Sequence, residues 1–228
     1  MDKRRKALHF GICTSHKDDT SFNGEKDADY FHLFSKQKGY DSNLVLSSKT
    51  KICAKHIKEE VFKLKSKNTT ATTYFISISG FSYVEKSFFG FLSSRQANKA
   101  VMLSDEEMFT RKDLLECLSL FDKDDKVFFL ISDCETKSKK PIVKPIFEGF
   151  DKNHVKVKAA VLSLGLNQRA MKHLNVSSCA VDFEYAMKSA KTFQELMNNL
   201  NDLNEANISF VNSSLGCYNT HKNSELVL

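Results

Sequence analysis

Lys126-Val127-Phe128-Phe129-Leu130-Ile131-Ser132-Asp133-Cys134-Glu135 is the stretch whose reading decides the fold. The apolar run from Val127 to Ile131 is unbroken and then gives way to Ser132-Asp133-Cys134-Glu135. Aromatic and β-branched residues in a run of that length predict a strand buried on both faces of a largely parallel sheet. A second run, Tyr74-Phe75-Ile76-Ser77-Ile78, has the same character and ends in Ser79-Gly80-Phe81-Ser82. In open α/β sheets, ligands and chemistry sit just past the carboxyl ends of such strands. If the two strands are neighbours, their ends are expected to face each other across one cleft.

Working outward, strands and helices alternate. The pattern predicts a first strand at Ala7 to Cys13 and a helix from Glu25 to Lys38, stopped by Gly39. A short strand at Leu44 to Leu46 follows, then Ser47 to Thr50 with N-cap chemistry for a helix over Lys51 to Lys65. Beyond Ser82 comes a loop to Lys99 holding Phe88, Phe89, Phe91 and Leu92, then a strand at Ala100 to Leu103. Thr110 is placed to cap a helix over Arg111 to Phe121. After the deciding strand, Glu135 to Lys156 reads as an exposed, lysine-rich connection containing both prolines, Pro141 and Pro145. A strand at Val157 to Leu164, helices near Phe183 to Ala190 and Phe193 to Leu203, and an edge strand at Ile208 to Val211 complete the chain. Thr192 is expected to cap the second of these helices, and Thr220 to Leu228 to fray. This alternation predicts an α/β fold with a mostly parallel central sheet and helices on both faces.

The chain has 228 residues, enough for one large α/β domain, and 41% hydrophobic residues supply a full core. The net charge of +6 comes from lysines interspersed with acids, which argues against a nucleic-acid partner. Six cysteines are widely spread with no Cys-x-x-Cys pair, which argues against a zinc site or a disulfide framework. The pattern calls for no metal or cofactor. Basic Asp2-Lys3-Arg4-Arg5-Lys6 before Ala7 to Cys13 mimics an export signal, but His9 interrupts the apolar run and no small-residue cleavage site follows. No stretch is long enough to span a bilayer, so a cytoplasmic location is expected.

The order of segments resembles the caspase-like cysteine peptidases, most closely the metacaspase and orthocaspase branch. Lys6-Ala7-Leu8-His9-Phe10-Gly11-Ile12 is similar to the family's opening K-A-L-x-I-G-I strand. Phe22 to Ala28 resembles its L-x-G-x-x-N-D-A helix entry, one residue short. Tyr74 to Ser82 is similar to the strand ending in S-G-H-G, and Val127 to Glu135 to the strand ending in D-S-C-H-S-G. The resemblance covers nearly the whole chain. It implies a three-layer caspase-like domain over 1–228, with a large-subunit-like half at 1–135, the connection at 136–156, and a small-subunit-like half at 157–228.

In that family the histidine and cysteine of the two motifs form a catalytic dyad: thiolate attack, with imidazole as acid and base. Here Phe81 stands at the histidine position and Ser82 at the final glycine. An ungapped match puts Glu135 at the nucleophile position, whereas a one-residue slip puts Cys134 there; Thr136-Lys137-Ser138 replaces the H-S-G tail either way. A phenyl ring transfers no proton, so general-base catalysis worth roughly 10²–10⁴-fold is lost unless another group supplies it. Asp133 and Glu135 flank Cys134, and negative neighbours disfavour a thiolate. His16 is the one histidine the sequence places near the same rim as a replacement base, against the plainer reading of a solvated loop histidine. By the resemblance, Asp27 and Asp133 match acids that hold a substrate's Arg or Lys side chain; the plainer role for Asp27 is to complement a helix dipole. The Phe88–Leu92 cluster is either a partner patch or a loop folded on the sheet edge. Lys137 to Lys144 lies where the family is cut between subunits, or is an ordinary solvated linker.

The expectation is therefore a pseudo-peptidase acting through protein contacts, paired with an active caspase-like protease or a second copy, or serving as a protease substrate. The alternative is a cysteine endopeptidase cutting after Arg or Lys, with Cys134 as nucleophile. A looser likeness of Ile12 to Asp19 to the first loop of TIR modules leaves both strand ends unexplained.

Overall fold

The computed structural model describes residues 4–13, 23–66, 70–84, 99–104, 107–135, 157–164, 170–171, 176–206 and 214–218. The first half runs β1 (Arg4–Gly11), α1 (Gly24–Gln37), β2 (Asp41–Leu46), α2 (Ala54–Ser66), β3 (Thr72–Val84), β4 (Lys99–Met102), β5 (Met108–Phe109), α3 (Arg111–Ser119) and β6 (Lys126–Glu135). The second half runs β7 (Lys158–Leu164), β8 (Ala170–Met171), β9 (Val176–Ser177), α4 (Ser178–Ser189), α5 (Phe193–Ala206) and β10 (Ser214–Tyr218).

The main sheet has the order β10-β7-β6-β3-β1-β2. All pairings from β7 across to β2 are parallel; β10 joins the edge at β7 antiparallel, and off this path β4 pairs antiparallel with β3 and β5 with β4. Helices cover both faces, giving three layers. Against one face, α2 and α3 pack Ile57, Val61, Leu114 and Leu118 onto Leu8, Phe10, Ile76 and Phe129. Against the other, α1, α4 and α5 pack Phe31, Phe34, Phe183 and Leu196 onto Ala7, Phe75 and Phe128. Phe183 is fully buried and meets the Phe31 ring edge-on, with centroids 5.8 Å apart. Interlocked rings of this kind each bury enough area to contribute about 1.5–3 kcal/mol.

Local chemistry explains most boundaries. Asn23 caps α1 by accepting the Glu25 N–H at 2.9 Å. Gly39 follows α1 with φ of 79°, the left-handed conformation that ends a helix at little cost in glycine. Thr110 and Asp113 form a reciprocal capping box at the start of α3, and Thr192 accepts the Glu195 N–H at 3.1 Å in α5. The start of α2 differs from expectation. The helix begins at Ala54, not Lys51, and the cap is Cys53, whose Sγ accepts the His56 N–H at 3.3 Å. Glu107, reaching from the β4–β5 turn, accepts the Ala54 N–H at 2.8 Å and so satisfies a second orphan donor.

The larger departure concerns the two deciding strands. Neither stops where its apolar run ends. β3 continues through Ser79-Gly80-Phe81-Ser82 to Val84, and β6 continues through Ser132-Asp133-Cys134 to Glu135. The reason is pairing: where β1 ends at Gly11, β4 takes over as an antiparallel partner for Ser82 to Val84, while β6 pairs with Thr73 to Ser82 on the opposite edge. The expected edge strand at 208–211 lies outside the described residues, as do the 136–156 connection, the Phe88–Leu92 cluster and the 220–228 tail.

Candidate functional site

In this strand order the connections turn in opposite directions on either side of β1, so the topological switch point lies between β1 and β3. It is packed shut by the first turn of α1. A Cβ on Gly24 would stand 2.3 Å from the Ser79 carbonyl oxygen and 2.5 Å from that of Ile12. One on Gly11 would stand 2.5 Å from Glu25 Cα. Only glycine allows this approach. The contact is then sealed by the Ile12 N–H, which donates to the Ser79 carbonyl at 2.9 Å. Beside it, Glu25 accepts from the Ser47 hydroxyl at 2.8 Å and the Ser48 N–H at 2.5 Å, tying α1 to the loop after β2.

One strand further across, the motif positions come together. Phe81 of β3 is the register partner of Cys134 of β6; Gly80 is opposite Asp133, and Ser82 opposite Glu135. The two strand ends are therefore joined as ladder partners rather than parted across a crevice. Adjacent strands run about 4.8 Å apart, so positions 81 and 134 are immediate neighbours along the backbone. Phe81 is 2% exposed and packs on Met102. The register puts Cys134, not Glu135, opposite Phe81.

Asp27 does not face solvent. It is fully buried in the first turn of α1, with both carboxylate oxygens engaged. Oδ1 accepts the Ser177 N–H at 2.7 Å; Oδ2 accepts the hydroxyls of Ser177 at 2.5 Å and Ser132 at 3.1 Å. Burial pushes its pKa up, and the bonds from Ser177 and Ser132 oppose that rise. Ser177 also caps α4, accepting the Ala180 N–H at 3.2 Å. Asp27 thus joins α1, β6 and the start of α4. Its nearest tie to the second motif is Ser132, the residue before Asp133.

A second polar group, missed in the sequence, lies on the same sheet face. His9 in the middle of β1 is fully buried, with Nδ1 2.8 Å from the Ser77 hydroxyl and Nε2 2.8 Å from that of Ser35. Burial, helped by nearby His32, lowers its pKa to about 3, so the imidazole is neutral. Between the two groups lies Ser79, in register with Ser132 on one side and Gly11 on the other. Its hydroxyl is the one buried side-chain polar atom among the described residues without a hydrogen-bond partner. His9, Ser35, Ser77, Ser79, Ser132, Asp27 and Ser177 together form a buried polar seam beneath α1.

Other histidines in the described residues are engaged away from Phe81. His32 pairs with the Ser42 hydroxyl at 2.8 Å, and His56 donates from Nδ1 to the Lys51 carbonyl at 3.1 Å. His16 lies outside the described residues. Among the described residues, no three His, Cys, Asp or Glu side chains gather as metal ligands, and no helix is long and apolar enough to cross a membrane.

No family model matches the chain, and no curated protein does. Among solved structures it is similar to a crystal structure of a Geobacter sulfurreducens protein determined as a structural-genomics target. The TM-score is 0.62 at 10% sequence identity, covering 86% of this chain and 88% of that one. A likeness at that identity speaks to the fold alone.

Proposed function

We propose that the chain is a caspase-like domain without peptidase chemistry, acting through protein contacts as regulator, partner or substrate of an active protease. The observation that carries this reading is the register pair Phe81–Cys134. In the family that the chain resembles, the histidine and cysteine positions lie on neighbouring strand ends, and the pairing of Phe81 with Cys134 supports carrying that arrangement over to this chain. Phe81 is an apolar ring buried against Met102. A buried phenyl group can neither take a proton from a thiol nor give one to a leaving amine. Asp27, which the resemblance would assign to a substrate's basic side chain, has both oxygens committed to Ser132 and Ser177. A cytoplasmic location and a protein rather than nucleic-acid partner, either an active protease or a second copy, belong to the same proposal.

The second reading, a cysteine endopeptidase cutting after Arg or Lys with Cys134 as nucleophile, draws its support from the same register, which sets Cys134 beside Phe81. It needs a base from outside the described residues, for which His16 is the candidate. A peptidase assay on fluorogenic peptides ending in Arg or Lys separates the two. No turnover by the wild-type chain, equal to that of Cys134→Ala, is the expected result. Turnover that disappears in Cys134→Ala would overturn the first reading in favour of the second.

A further inference from the structure

No further inference is drawn: the strongest candidate, the unpartnered Ser79 hydroxyl in the polar seam between α1 and the β3–β6 pair, lies beneath a helical turn packed too closely to admit a methyl group at Gly24, and nothing in the structure shows a ligand reaching it.

Discussion

The two faces of the central sheet are built on different principles. The face under α2 and α3 is held by apolar side chains, from Leu8, Phe10 and Ile12 through Ile76 and Ile78 to Phe129 and Ile131. The face under α1 and α4 shares its aromatic core with a line of buried polar groups running from His9 to Asp27. An apolar contact is non-directional and tolerates adjustment, whereas a buried hydrogen-bonded group costs little only while every partner is in place. The apolar face is therefore expected to carry the larger share of the stability. The polar face ties particular elements together: Asp27 alone joins α1, β6 and α4.

The sharpest way to break this contrast is a cavity in the apolar face. Phe129 is fully buried and stacks on Phe109, with centroids 6.3 Å apart. Phe129→Ala should cost about 3–5 kcal/mol in urea unfolding. A cost near 1 kcal/mol would mean that this face is not the main support. On the polar face, Asp27→Ala strands the hydroxyls of Ser132 and Ser177 and the Ser177 N–H, with an expected cost of about 1–3 kcal/mol. Asp27→Asn keeps the shape and one acceptor, and should recover most of that loss; equal damage from both variants would show that charge, not hydrogen bonding, is what the site requires.

Acid titration separates the two faces through His9, whose native pKa of about 3 lies below the ordinary 6.5. The unfolded chain then binds the extra proton first, so the stability from neutral His9 is complete above pH 6.5 and is lost as the pH falls toward 3. The limiting slope is about 1.4 kcal/mol per pH unit. Asp27 acts in the opposite sense. Its raised native pKa makes the folded state hold a proton longer, so its contribution declines as the pH rises from the usual carboxylate value through the native one. Unfolding curves for wild type and His9→Phe across pH 3 to 7 should show the acid-side slope reduced in the variant. An unchanged slope would remove His9 as its source.

The smallest effect is expected at Ser79. Removing an unpartnered buried hydroxyl takes away a desolvated group and no hydrogen bond, so Ser79→Ala should leave stability unchanged or raise it by about 1 kcal/mol. A loss larger than that, read from the unfolding midpoint, would show that the hydroxyl has a partner in solution.

Runs of apolar residues and capping residues were sufficient to read the alternation of strands and helices, the mostly parallel sheet and the caps at Thr110 and Thr192, because those signals act over one to four neighbouring residues. Where β3 and β6 end was not legible. Ser79 to Ser82 and Ser132 to Glu135 look like strand exits in isolation, and they remain strands because β4 and each other's backbones supply partners. The polar seam was equally hidden. His9 reads as an odd residue in an apolar run and Asp27 as a first-turn acid, while their partners lie 26 and 68 residues from His9 and 105 and 150 from Asp27. The sequence by itself determined which segments are buried strands and amphipathic helices, since burial follows from local periodicity. Only the tertiary structure decided that position 81 faces position 134 and that Asp27 is enclosed, because register and hydrogen-bond closure depend on groups that chain order keeps far apart.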